Sequence, residues 1–168
     1  MEPRVEIVNI VVTIKLEPMP DPKEILERIP GSRPVKRFRG AIVRIRRIPI
    51  LFYKNKIVVA GVRTQGELKR TIKDLLSLLM GRGLRTSLVE KRIVNITGYI
   101  SLNRELDLPS LAKEIKGIYD PDYRPYLVAR LNNTSLIISQ QGKIVVWGAK
   151  SMEQITNVIN YVLKILGL

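Results

Sequence analysis

Long β-branched runs alternate with shorter stretches of helical periodicity along this chain, and the two kinds of segment follow one another twice in the same order. Val5 to Leu16 (VEIVNIVVTIKL) predicts a long strand, ended by the prolines between Pro18 and Pro22. Asp21 suits an N-cap and Pro22 a first helical position; Ile25, Leu26 and Ile29 then give a short amphipathic face closed by Pro30-Gly31. Strands are expected at Gly40 to Ile45, Ile48 to Tyr53 and Lys56 to Gly61, with Lys54-Asn55 as a tight hairpin. Thr64 caps a predicted helix from Gln65 to about Met80, whose Leu68, Ile72, Leu75, Leu76 and Leu79 recur at helical spacing. The second half repeats the order: a strand from Arg92 to Leu102, a short helix near Pro109 to Lys116, and strands at Tyr126 to Leu131, Ser135 to Ser139 and Lys143 to Gly148. Ser151 caps a closing helix from Met152 to about Leu166. One further short strand is expected in each half, at Arg33 to Phe38 or Asp120 to Tyr123.

Two tetrapeptides show that this parallel order is a duplication. IVNI stands at Ile7 and Ile93, and KIVV at Lys56 and Lys143, lags of 86 and 87 positions. Gly61-Val-Arg-Thr64 matches Gly148-Ala-Lys-Ser151 on the same lag. A unit this long is half a molecule, not a solenoid repeat. The expected division is 1–86 and 87–168, each half a β-α-β-β-β-α repeat with room for one more strand. Alternation along the strands assigns faces: Val8, Ile10, Val12 and Ile14 oppose Ile7, Asn9, Val11 and Thr13. Likewise Leu51 and Tyr53 oppose Ile50 and Phe52, and Ile57 and Val59 oppose Val58 and Ala60. Both faces are apolar, yet the helices cover one. An uncovered apolar sheet face of this size marks an interface.

Composition narrows what that interface meets. The chain has no cysteine and no histidine, which removes disulfides, thiolate sites, zinc fingers and triads together. Asp120 and Asp122 flank Pro121 in an expected loop, and no P-loop or G-x-G-x-x-G occurs; Gly81-Arg-Gly83 reads as a C-cap and linker. An enzyme is not expected, nor a metal or other cofactor. The N-terminus has no signal-peptide pattern and no apolar stretch approaches the roughly 20 residues of a membrane span, so a cytoplasmic protein is expected. The formal net charge is +14, and it is lopsided: residues 1–86 carry 19 Lys and Arg against 8 acids, residues 87–168 carry 10 against 7. Between Glu27 and Glu67 lie 11 basic residues and no acid. Such a balance favours a polyanion partner.

The ordered set of motifs resembles the TATA-box-binding protein family in its archaeal, core-only form. It comprises the IVNI strand, Phe38-Arg-Gly40 leading to Arg44, the Leu51-Phe52 pair before a lysine hairpin, and V-V-x-G-[AV]-[KR]-[ST] in both halves. The resemblance covers nearly the whole chain. It implies an α+β saddle: two pseudo-symmetric β-α-β-β-β(-β)-α repeats forming one curved antiparallel sheet, with four helices on the convex side and duplex DNA in the concave face. Asn9 and Asn95 match the paired asparagines at the centre of the family's site. An amide amid small apolar side chains suits the minor groove, whose A·T pairs show mainly acceptors. Val11, Val58 and Ala60, with Thr97 and Val145, match the small groove-lining positions. Phe38 and Phe52 match the rings wedged between base steps at one end, where unstacking is repaid by contact with bent DNA. Arg44 and Arg130, with Lys56, Arg63, Lys143 and Lys150, match phosphate-facing positions, and Arg46 and Arg47 are expected to add to them.

The second half departs from the family at its wedge positions, which hold Arg124, with Tyr123 and Tyr126 close by, and Ser139. Trp147 stands where the family has a small threonine, Arg39 replaces a proline, and about three residues are missing between Arg44 and Phe52. The expected partners are an A·T-rich promoter duplex, transcription factor B and RNA polymerase, with the protein a monomer or weak homodimer. The resemblance leaves two other functions open: an adaptor of the same fold that binds proteins, and a module that recognises RNA or an RNA-DNA hybrid.

Overall fold

The computed structural model describes residues 4–168; residues 1–3, the start of the expected first repeat, lie outside the described residues. The chain forms two compact units, one of Asn9–Val94 and one of Asn95–Leu168 together with the residues up to Val8. Their elements, in chain order, are β1 (Glu6–Glu17), α1 (Pro22–Arg28), β2 (Arg33–Val35), β3 (Gly40–Ile45), β4 (Ile48–Phe52), β5 (Ile57–Val62) and α2 (Gln65–Gly81). There follow β6 (Ser87–Ser101), α3 (Leu108–Glu114), β7 (Tyr126–Leu131), β8 (Thr134–Ser139), β9 (Lys143–Ala149) and α4 (Met152–Ile165).

In the first unit the antiparallel strand order is β2-β3-β4-β5-β1. The strands bury alternate residues, as a sheet with one covered face must. Ile10, Val12 and Ile14, Ala41 and Val43, Ile50 and Phe52, and Ile57 and Val59 are buried beneath the helices together with Leu68, Leu75 and Leu79 of α2. Asn9, Val11, Thr13, Ile42, Leu51, Val58 and Ala60 occupy the other face and stay half-buried. Helix α1 starts where the sequence demands: the Asp21 carboxylate accepts from the Lys23 N–H at 2.8 Å, and the Glu24 carboxylate accepts from the Asp21 N–H at 3.2 Å. Thr64 caps α2, its hydroxyl accepting from the Glu67 N–H at 3.0 Å. Gly83, left-handed at φ +78, ends α2: its N–H donates to the Met80 carbonyl while the Leu84 N–H donates to that of Leu79.

The second unit orders its strands β6-β9-β8-β7. Ile96, Ile100, Leu127, Ala129, Leu136, Ile138, Ile144 and Val146 are buried with Ile155, Val158, Ile159 and Val162 of α4. Helix α4 packs so closely that a Cβ on Gly98 would lie 2.7 Å from Ile155 Cγ2. Asn95, Thr97 and Tyr99 therefore face away from the helices, as do Tyr126, Val128, Arg130, Ser135, Ile137, Ser139, Val145 and Trp147. Ser151 caps α4, and Asp107 caps α3, its carboxyl held below the ordinary value chiefly by the Ser110 hydroxyl.

The largest departures from expectation lie at three places. Strand β6 begins at Ser87, five residues before the expected Arg92; the stretch through Glu90-Lys91-Arg92 is exposed, so it offers no alternating apolar signal. Thr86 and Ser87 hydroxyls donate to the carbonyls of Pro18 and Glu17, which ties this start to the end of β1. The extra strand of the first repeat is the three-residue β2, followed by a 3₁₀ turn at Lys36–Phe38. Its counterpart in the second is a single bridge between Ile118 and Val128, not a strand at Asp120 to Tyr123, where the Asp120 side chain accepts from the Asp122 N–H to close a turn.

Candidate functional site

The paired asparagines are set by paired bulges. The β1–β5 register slips between Ile10 and Val12, opposite Val62 and Val59, and the β6–β9 register slips between Ile96 and Gly98, opposite Ala149 and Val146. Each slip leaves a glycine at φ +86, Gly61 and Gly148, a left-handed conformation that a side chain would strain. A bulge frees one ladder N–H, and the asparagine of the neighbouring strand accepts it: Asn9 Oδ1 from the Gly61 N–H at 2.8 Å, Asn95 Oδ1 from the Gly148 N–H at 2.6 Å. That bond fixes which end of each amide is which. The carbonyl is spent on the scaffold, so the NH₂ is the end each amide has to offer on the open face. In the second unit Asn95 Nδ2 also makes a long contact, 3.3 Å, to the Thr97 hydroxyl.

Around each amide the structure gathers the small and apolar residues the sequence singled out. Val11, Val58 and Ala60 lie half-buried on the open face of the first unit; Thr97, Val145 and Trp147 do so in the second, where Trp147 pairs across with Ser135. Arg44 and Arg130 occupy matched open-face positions, paired across with Pro49 and Ser135, and both are exposed. Lys56 and Lys143 are exposed at the hairpin ends, Arg63 and Lys150 just after β5 and β9. Strands β2 to β5 and β7 to β9 contain no Asp or Glu, so their open faces carry cations and donors without a competing carboxylate. Arg46 is placed elsewhere: it forms an ion pair with Asp74 of α2.

The aromatic pair requires a correction. Phe52 is 0% exposed, on the helix-covered face between its cross-strand partners Ala41 and Ile57, and is no wedge. The ring on the open face is the next residue, Tyr53, which stacks on Phe38 with centroids 4.0 Å apart and planes 18° from parallel. Lys56 Nζ lies 5.3 Å from the Tyr53 centroid. Hairpin length is the reason. In the first unit Phe52 pairs with Ile57, and the Tyr53 N–H donates to Lys56 O across two loop residues. In the second, Ile138 pairs with Ile144, one residue further along. Counting back four from the lysine thus reaches the open face at Ser139 but the core at Phe52. Gly40 makes room for the pair: a Cβ there would lie 2.2 Å from the Phe38 ring and 2.3 Å from Phe52 O.

Arg124 sits in the exposed loop just before β7, over the Tyr123 ring, 5.0 Å from its centroid. Tyr126, directly opposite Ser139, is the aromatic residue on the open face there. Tyr53, Tyr99 and Tyr126 are thus open-face residues outside the expected DNA-contacting set, though the alternation of β4 already put Tyr53 on this face and Tyr126 stands beside the expected wedge positions. Among the described residues no three or more His, Cys, Asp or Glu come together as a metal site, and no helix is long and apolar enough to cross a membrane.

Taken together, these features define an α+β protein of two β-α-β-β-β(-β)-α repeats, the extra strand β2 standing in the first, with antiparallel strands and four helices among the described residues, each repeat holding a bulge-anchored amide beside strands free of acids. The family model described as "Transcription factor TFIID (or TATA-binding protein, TBP)" matches residues 90–167. The TATA-box-binding protein of Pyrobaculum calidifontis is 29% identical over 94% of this chain and 83% of its own length. That of Methanocaldococcus jannaschii is 27% identical over 97% and 93%. A solved structure, Methanococcus jannaschii TBP, superposes with a TM-score of 0.81 at 25% identity, covering 96% of this chain and 97% of the other. The second half of the chain thus matches the TATA-box-binding protein family model, and nearly the whole chain is similar to proteins of that name in sequence and fold.

Proposed function

We propose that this protein is a DNA-binding transcription initiation factor whose open strand faces engage the minor groove of an A·T-rich duplex. The observation that carries the reading is the matched pair of amides, each with its carbonyl bonded to a bulge glycine and its NH₂ on the open face, where that of Asn95 also makes one long bond to the Thr97 hydroxyl. The floor of the minor groove at A·T pairs presents acceptors only, which is the complement of those two donors. The relatives named TATA-box-binding protein support the same function. In this reading Val11, Val58, Ala60, Thr97, Val145 and Ser139 line the groove, and Arg44, Lys56, Arg63, Arg130, Lys143 and Lys150 meet phosphates. Phe38 and Tyr53 act as one stacked wedge at a base step. Recruitment of transcription factor B and RNA polymerase belongs to the same proposal, as does the two-repeat division of the chain.

A gel-shift panel of A·T-rich duplex, random duplex and RNA-DNA hybrid across a salt series tests this. A preference for the A·T-rich duplex is expected, with a steep salt dependence from released counterions. Binding to none of them would point to the adaptor function instead, and preference for the hybrid would overturn the duplex reading. Arg63→Ala or Lys150→Ala should weaken all duplexes alike and reduce the salt slope by about one unit. Arg46→Ala should leave duplex affinity unchanged within about twofold, because its guanidinium is already engaged by Asp74.

A further inference from the structure

We propose that the open face of the second unit, around Trp147 and Tyr99, is a binding site for single-stranded DNA whose unpaired bases stack on the two rings. The choice of DNA over RNA rests on the function proposed above; the stacking site does not.

The two repeats differ in where they put their aromatic residues. With Asn9 matched to Asn95 and Gly61 to Gly148, Thr13 corresponds to Tyr99 and Ala60 to Trp147. Mid-sheet, the first unit therefore has small side chains where the second has a phenol and an indole. Tyr99 lies directly across from Val145 of β9, and Trp147 is two residues further on the same strand and face. Diagonal neighbours of this kind are about 7–8 Å apart, within reach of each other's long side chains. Both are half-buried, so the sheet holds each ring while part of its surface remains open.

An indole in this place has more to offer an unpaired base than a paired one. A base-pair edge is met by the amide and by small side chains such as Ala60 beside Gly61, whereas the ring of Trp147 beside Gly148 adds a flat surface that a paired edge does not use. An unpaired base instead presents a π-face, which such rings accept whatever the sequence. The charge fits the same ligand: β7 to β9 carry Arg130 and Lys143 and no acid, Arg130 is exposed on this face, and Lys150 is exposed just past β9.

Trp147 is the single tryptophan of the chain, so the site carries its own reporter. The test titrates the full-length protein with oligo(dT) of about 12 nucleotides, long enough for one sheet-sized site, and follows tryptophan emission. Matched oligo(rU) and a dA·dT duplex are run in parallel, with fluorescence anisotropy of labelled strands as a second readout. Saturable quenching by oligo(dT) is expected. Tyr99→Ala should weaken oligo(dT) binding by about 5- to 150-fold, the cost of losing one base–aromatic stack, while Tyr99→Phe stays within about twofold. The circular dichroism spectrum should be unchanged in both variants, and Tyr99→Ala should weaken oligo(dT) binding more than duplex binding. No quenching by oligo(dT), equal loss in Tyr99→Phe and Tyr99→Ala, or tighter binding of oligo(rU) would each overturn the proposal. Loss of duplex binding alone, with oligo(dT) quenching intact, overturns the function proposed above and leaves this site standing.

Discussion

Phe52→Ala is expected to lower the free energy of unfolding by about 3–5 kcal/mol, the usual cost of removing a core phenylalanine and leaving its cavity. Its ring is fully buried on the helix-covered face, flanked by Ala41 and Ile57. Tyr53→Ala, one residue away, should cost only about 1 kcal/mol, the value of an aromatic stack, since the ring is half-buried and packs chiefly on Phe38. The functional order is the reverse. Tyr53→Ala removes half of the stacked wedge and should reduce DNA bending, followed by fluorescence transfer across a doubly labelled A·T-rich duplex. Phe52→Leu, which keeps an apolar side chain in the core, should bend DNA as the parent does. If urea titration instead found Phe52→Ala as stable as the parent and the bend lost only in that variant, the assignment of faces in β4 would be wrong.

The same stretch shows how much the sequence disclosed. Period-two alternation of Ile48-Pro-Ile-Leu-Phe52 already placed Phe52 with Ile50, opposite Leu51 and Tyr53, because burial on one face imposes that period locally. The family resemblance gave the opposite face for Phe52, because it carried over a hairpin one residue longer than this one. Local chemistry was likewise legible in the caps, where Asp21, Thr64 and Ser151 act within three residues of themselves. The start of β6 was not, since Glu90, Lys91 and Arg92 are exposed and carry no periodicity. Nor were the bulges. Asn9 meets Gly61 across 52 positions and Asn95 meets Gly148 across 53, so the reason for an asparagine in mid-strand lies in a contact that only the folded chain makes.

On the proposed reading each asparagine has two tasks, holding the bulge glycine and offering its NH₂ to the groove, and Asn9→Asp separates them. An aspartate keeps an oxygen to accept the Gly61 N–H, so the bulge and the stability of the fold should be retained within about 1 kcal/mol. It loses the NH₂ donor and turns a negative charge toward a polyanion. Affinity for A·T-rich duplex should therefore fall at least tenfold, since a well-placed base contact is worth about 1–3 kcal/mol before any repulsion is added. Asn9→Ala removes both: it leaves the exposed Gly61 N–H to water, at a cost of about 0.5–1.5 kcal/mol in stability, and it erases the preference for A·T-rich over random duplex. The same contrast should hold at Asn95, where Gly148 takes the place of Gly61. Urea unfolding and gel shifts at one fixed salt concentration give the two axes. Equal DNA binding by Asn9→Asp and the parent would mean that the amide serves the bulge alone, and the groove-reading role would then have to move to the apolar floor around Val11, Val58 and Ala60.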